Sequence, residues 1–272
     1  MIPAAFDYKV AESAEQAISL LGEYGDEAKL LAGGHSLIPM MKFRLAAPAV
    51  LIDVARISDL SYIREADGHL AIGAMTKHFE VETSDIVAQH APMLGHVAAL
   101  VGDPSVRHCG TLGGTLAHSD PASDLPAAVL ALGGTIVAHG PGGAREIAAN
   151  EFFTGYFESV LADDEIITEV RIPTGTGSWN YQKFNRRAQD WAIVGVGVAD
   201  GGKGISLVNM GSTPVRATAA EEALASGASA ADAAALAAQG TTPPEDNNAD
   251  AAYRTHLVTV LTRRALEAAG VA

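Results

Sequence analysis

Two glycine clusters carry the first chemical signal in this sequence: Ala32-Gly33-Gly34-His35-Ser36 and, about 75 residues later, Thr111-Leu112-Gly113-Gly114-Thr115. Each sets small residues in a loop beside an apolar, strand-like run. Loops of this kind let several backbone N–H groups approach a phosphate oxygen with no Cβ in the way. His35, Ser36, Thr111 and Thr115 add imidazole or hydroxyl donors. Neither cluster has the Rossmann or Walker spacing. Two such turns, far apart in one chain, suit a long ligand with phosphate at its centre, such as a dinucleotide. On the glycines alone, a plain pair of structural turns stays open.

The elements that must position these loops are short and mixed. Ser13-Ala14-Glu15-Gln16 fits a capping box, and Ala14, Ala17, Ile18 and Leu21 then form an apolar stripe, so a helix is predicted there, ended by Gly22 and Gly25. Lys29-Leu30-Leu31 reads as a strand running into the first loop, and Val50 to Val54 as another. The run His69 to Met75 reads as a buried strand, and residues 85–101 as one helix turning Ile86, Met93 and Val97 inward. After the second loop, Ala128 to Leu132 is a short helix or apolar segment, and Thr135 to Ala138 and Glu165 to Ile172 are strands.

Pro173-Thr174-Gly175-Thr176-Gly177 is strong punctuation and marks a domain boundary. Beyond it, Trp191 to Ala199 and Gly204 to Val208 form a predicted hairpin. Arg216 to Ala238 is alanine-rich and helical, broken at Gly227, and Tyr253 to Ala268 makes a last helix.

Composition excludes several classes. With 272 residues and 48% apolar content, the chain can bury a substantial core. A formal net charge of -14 opposes nucleic-acid or anionic-membrane binding, though not a dinucleotide held by backbone donors. Cys109 is the only cysteine, so the chain can form no internal disulfide and ligate no four-cysteine iron–sulfur cluster. The nine histidines lack metal-ligand spacing, and no metal site is expected. No leader-like segment or 18-residue apolar run is seen, which points to the cytoplasm.

Longer strings add a family resemblance. Ala32 to Leu45 (AGGHSLIPMMKFRL) resembles the first FAD loop of the molybdenum hydroxylase flavoproteins, the xanthine dehydrogenase family, and Val101 to Gly114 (VGDPSVRHCGTLGG) resembles the second. The continuation Thr115 to Ala127 (TLAHSDPASDLPA) is similar to the medium subunits of aerobic carbon monoxide dehydrogenases. Tyr181 to Ala192 (YQKFNRRAQDWA) resembles the opening of the family's C-terminal domain. These stretches span nearly the whole chain in the family's order.

The resemblance implies an α+β fold. A two-subdomain FAD-binding domain of the molybdenum hydroxylase/vanillyl-alcohol-oxidase type would occupy residues 1–175, with subdomains at about 1–56 and 57–175. A smaller antiparallel-sheet plus helix domain would occupy 178–272. It implies noncovalent FAD, its diphosphate gripped from both sides by main-chain amides of residues 32–36 and 111–115. Asp124 matches an acidic position that contacts ribose or ribityl hydroxyls, with a capping role before Pro126 as the other reading. Ile167 matches an apolar position whose backbone holds the flavin or adenine. Lys183, or Gln182 beside it, falls near the isoalloxazine, where positive charge favours anionic reduced flavin; the alternative is a surface lysine opposite Asp190. Trp191 sits where an aromatic covers the ring, the alternative being a core tryptophan. Arg186 and Arg187 contact FAD or a partner, or are simply solvated, and Cys109 reads as a structural thiol. No catalytic residue is expected.

At the level of function, the resemblance implies an electron-transfer subunit of a molybdenum hydroxylase. Its partners would be a molybdopterin-containing large subunit and a small subunit with two [2Fe-2S] clusters, assembled as a dimer of heterotrimers on or near the inner face of the membrane. Electrons would pass from the clusters to FAD and on to a quinone or NAD. Carbon monoxide dehydrogenase is the first reading, with a related aldehyde or heterocycle dehydrogenase as alternative. From other classes, a self-contained flavin reductase and a noncatalytic dinucleotide-binding scaffold stay open.

Overall fold

A computed structural model describes residues 1–175 and 177–272. The chain opens with a three-stranded parallel sheet built from β1 (Asp7–Val10), β2 (Ala28–Leu31) and β3 (Val50–Asp53), in the order β1-β3-β2. The central strand, Val-Leu-Ile-Asp, is buried along its whole length, as a parallel strand covered on both faces requires. The helix Ala14–Tyr24 joins β1 to β2 and turns Ala17, Ile18 and Leu21 into the core. Its cap is set by Ser13, whose Oγ accepts from the Gln16 N–H at 3.2 Å; the Gln16 side chain reaches one residue further back, to the Glu12 N–H at 2.7 Å.

A second, antiparallel sheet follows. Its strands are β4 (Ile63–Ala66), β5 (His69–Gly73), β6 (Thr135–Gly140) and β7 (Gly143–Ala148); after a two-stranded ribbon, β8 (Phe153–Gly155) with β9 (Glu158–Ser159), comes β10 (Ile166–Pro173). The order is β4-β5-β10-β6-β7, so β10 inserts between β5 and β6, with β7, β8 and β9 intervening in the chain. Short helices cover one face, and Met93, Leu94, Val97, Leu112, Leu116 and Leu125 from them join Leu70, Ile72, Val170 and Ile172 in the largest core.

The single helix predicted over 85–101 is in fact two, Asp85–His90 and Pro92–Ala99. Pro92 has no N–H to continue the first helix and forces Ala91 out of the helical region, to φ -143° and ψ 57°. Met93 and Val97 are fully buried as expected, whereas Ile86 is 38% exposed.

The last sheet is antiparallel, β11 (Asn180–Phe184), β12 (Val194–Ala199), β13 (Gly204–Val208) and β14 (Val215–Arg216) in sequential order. Helices Thr218–Ala225, Ala230–Ala235 and Ala251–Ala268 supply its packing layer, with Val258, Leu261 and Leu266 buried against β12 and β13. The alanine-rich stretch breaks at Gly227 (φ 87°), as its glycine suggests. The other face of β12 and β13 meets the helix Asp124–Ala131 so closely that a Cβ on Gly204 would lie 2.0 Å from the Ala131 carbonyl oxygen. Of the punctuating segment 173–177, Thr176 lies outside the described residues.

Candidate functional site

The first glycine turn follows directly from β2 and ends at the short helix Leu37–Lys42. Gly33 is where it meets the second turn: a Cβ there would stand 2.2 Å from the Cys109 carbonyl oxygen and 2.9 Å from the Gly110 Cα. Gly34 has φ +73°, a left-handed conformation that swings the following amides to one side. Among the described residues, the N–H groups of Gly33, Gly34, His35 and Ser36 donate to no protein acceptor. Ser36 makes no capping bond with its hydroxyl. The result is a concave run of unpartnered donors, the arrangement that suits a phosphate oxygen.

The second turn behaves differently from expectation. Residues Leu112–His118 fold as a helix docked on the chain that leaves β5. The Leu112 N–H donates to the Thr76 carbonyl (2.9 Å), Gly113 to Ala74 (2.8 Å), Gly114 to Thr111 Oγ1 (3.1 Å) and Thr115 to the Thr111 carbonyl (3.0 Å). The expected grip by amides from both sides is therefore corrected: residues 112–115 have engaged theirs internally. What this wall offers is close approach, the Thr111 N–H, which donates to no protein acceptor among the described residues, and the hydroxyls of Thr111 and Thr115, the latter 3.3 Å from Ser123 Oγ. Leu112 itself is fully buried and packs in the core.

The two turns face one cleft of about 860 Å³, lined by Ala32, Gly33, Gly34, His35, Ser36, Thr111, Gly113, Gly114, Thr115, Asp124, Ile167, Lys183 and Trp191. Leu112, Gln182, Arg186, Arg187 and Cys109, also singled out from sequence, do not line it. Ile167 sits at the start of β10, beside a break in register with β6 between Ile167 and Glu169. There the strand bulges and Ile167 faces the cleft wall. Trp191 is 58% exposed, which removes the core reading. Cys109 is also exposed, so its part in the structure is its carbonyl against Gly33 rather than its thiol. Arg187 is solvated and lies 3.8 Å from Asp190.

Beneath the cleft lies a pair that sequence did not anticipate. Lys183 and Asp124 form an ion pair at 2.7 Å, with side chains 6% and 4% exposed. Tyr181 Oη donates to the other Asp124 oxygen at 2.8 Å, and Lys183 Nζ also donates to the Leu100 carbonyl at 3.0 Å. Strand alternation explains the grouping: Tyr181 and Lys183 share one face of β11, while Gln182 points away and donates to Asn180 Oδ1 at 2.6 Å. Asp124 does not cap its helix, and Lys183 is not a surface lysine. Burial pushes the Asp124 carboxyl up, against the opposing pull of Lys183 and Tyr181. Burial, with the neighbouring carboxylate, pushes the Tyr181 phenol well up. Lys183 therefore reaches the cleft as one partner of a buried ion pair with Asp124 and not as an isolated charge.

His118 and Phe157 also line the cleft, their rings 5.0 Å apart, and burial lowers the His118 pKa. From sequence His118 is open between loop packing and a ligand-side donor, whereas Phe157 carries no pattern there.

This geometry fits FAD: two turns packed so closely that Gly33 has no room for a Cβ, free amides at the lip of the first, and a long cleft with a polar floor. The fold and cleft define a flavoprotein class. Residues 4–175 match the family described as the FAD binding domain in molybdopterin dehydrogenase, and residues 179–269 match the CO dehydrogenase flavoprotein C-terminal domain. The chain is 40% identical to the carbon monoxide dehydrogenase medium chain of Hydrogenophaga pseudoflava, over 99% of this chain and 98% of that one. It is 38% identical to the 6-hydroxypseudooxynicotine dehydrogenase complex subunit alpha of Paenarthrobacter nicotinovorans, over 98% of this chain and 95% of that one. It superposes with a TM-score of 0.95 on a chain of the H. pseudoflava carbon monoxide dehydrogenase that lacks the Mo-pyranopterin moiety, at 41% identity and 99% coverage of both. The chain belongs to the FAD-binding medium subunits of the molybdenum hydroxylases.

Among the described residues, no helix is long and apolar enough to cross a membrane.

Proposed function

We propose that this chain is the electron-transfer subunit of a molybdenum hydroxylase, holding FAD in the cleft between its two glycine turns and serving a carbon monoxide dehydrogenase. The observation that carries the reading is the convergence of both turns, Asp124, Ile167, Lys183 and Trp191 on one cavity. When bound, FAD supplies the conversion between one-electron and two-electron transfer. The chain's own residues place it. The amides of residues 33–36 hold the diphosphate, the Asp124–Lys183 pair offers a carboxylate to hydroxyls and an ammonium to the ring, and Trp191 excludes water from its face. Ile167 adds an apolar edge.

The remaining parts of the assembly are the large molybdopterin subunit and the small subunit with two [2Fe-2S] clusters, in two copies each. Electrons leave for a quinone or NAD on the cytoplasmic side. The division at 1–175 and 178–272 places Asp124 on one unit and Lys183 on the other. A self-contained flavin reductase gives no reason for the C-terminal match at 179–269. The same family serves other substrates, as the 6-hydroxypseudooxynicotine dehydrogenase relative illustrates at 38% identity; the carbon monoxide reading rests on 40% identity to two carbon monoxide dehydrogenase medium chains.

Purification of the full-length chain tests this. One acid-releasable FAD per chain is expected, with no oxidation of carbon monoxide or aldehydes until large and small subunits are added. Turnover by the rigorously purified chain alone would overturn the assignment.

A further inference from the structure

The second turn presents no free amide from residues 112–115, yet under it lies an imidazole with no hydrogen bond. His78 opens the short helix His78–Thr83 and is 4% exposed. Its Nδ1 is sealed from solvent and has no partner among the described residues. The other edge of the ring lies under Gly110, where a Cβ would stand 2.7 Å from Nε2 and 2.8 Å from Cδ2. His78 and Gly110 both line the cleft. The glycine is thus the opening through which Nε2 meets the space between the turns.

The orphaned Nδ1 dictates the tautomer. An enclosed N–H with no acceptor is rarer and costlier than an enclosed lone pair with no donor, so the proton sits on Nε2. Charging the ring would require a second, unpartnered N–H beside His35 and Arg107. Burial first, then those two neighbours, bring the pKa down to about 4. The ring is neutral near pH 7, with its single N–H on the cleft side.

We propose that His78 is a ligand-binding residue of this site, donating its Nε2–H past Gly110 to an oxygen of the diphosphate and replacing the amides that the second turn has engaged internally. This rests on the flavin reading above and adds the donor for the far side of the diphosphate.

The test uses the full-length chain stripped of flavin, with H78Q, H78N and H78F variants titrated with FAD. A glutamine amide overlays the Nε2 position, whereas an asparagine amide overlays Nδ1. H78Q is expected to bind within about threefold of the original chain. H78N and H78F are expected to bind about tenfold or more weakly, the range of a lost hydrogen bond to a charged acceptor. Nitrogen-15 NMR should show His78 protonated at Nε2 and that resonance moving on FAD addition, which a packing role would not produce. Unchanged FAD affinity in H78N and H78F, equal losses in H78Q and H78N, or a proton on Nδ1 would each overturn the proposal; if H78F fails to fold, the Gln–Asn pair decides. Absence of FAD binding by the unsubstituted chain would bring down the flavin reading and this proposal with it.

Discussion

Gly33→Ala is expected to weaken FAD binding by about 100-fold or more, the equivalent of losing two hydrogen bonds to a charged acceptor. The added Cβ would sit 2.2 Å from the Cys109 carbonyl oxygen and 2.8 Å from the carbonyl carbon. Both are backbone atoms, so no side chain can rotate away. The two turns must separate, and the amides of residues 33–36 then miss the diphosphate. Overpacking of this kind also costs about 1–3 kcal/mol of stability. Gly22→Ala is the control, because a Cβ there meets nothing within 4 Å. That change should leave FAD affinity alone and stabilise the helix by about 0.5–1 kcal/mol. Equal affinity in the Gly33 and Gly22 variants, read by flavin fluorescence titration, would contradict the role assigned to the first turn.

The second large effect is on stability. Lys183→Met strands the Asp124 carboxylate, 4% exposed, with Tyr181 as its remaining side-chain donor. Removing one partner of a buried ion pair costs about 3–5 kcal/mol, because the survivor must stay charged without compensation or take up a proton. The loss should appear as a lower urea midpoint with an unchanged slope. Adding Asp124→Asn removes the stranded charge while keeping an acceptor for Tyr181 Oη. The double variant should therefore recover most of the loss, and the double-mutant cycle gives the coupling directly. The effect reaches function as well, since the pair joins the helix Asp124–Ala131 to β11 under the cleft. A single Lys183→Met variant within about 1 kcal/mol of the original would mean that the pair holds nothing together.

These two expectations differ in how much of their basis was legible from sequence. The glycine turns, the strands leading to them and the later hairpin follow from local signals, namely small residues beside apolar runs, and alternation. Gly33's need for space is consistent with that reading, although what fills the space, the Cys109 carbonyl, lies 76 positions away. The Asp124–Lys183 pair joins residues separated by 59 positions, and no periodicity connects a helix start to a strand so distant. Alternation on β11 does indicate that Tyr181 and Lys183 share a face and Gln182 does not, a signal available once the strand is recognised. Pro92 is the local signal for the break in the predicted 85–101 helix, and the spacing of Ile86, Met93 and Val97 alone does not register it.

The second turn shows the opposite failure. Thr111 to Thr115 looks like a second phosphate cradle, yet the amides of residues 112–115 bond to residues 74–76 and to Thr111. Whether a donor is free depends on what packs against it, and that is a tertiary fact. His78 is invisible for the same reason: a lone histidine after Thr76-Lys77 gains meaning only beneath Gly110.

The central claim is that the diphosphate of a flavin dinucleotide is held by the turn at residues 33–36. Titration of the flavin-free chain with FAD and with riboflavin, which lacks the diphosphate, tests it most directly. Saturable binding of one FAD per chain, at least about 100-fold tighter than riboflavin, is the predicted result. Riboflavin binding as tightly as FAD, or no saturable FAD binding at all, would contradict it.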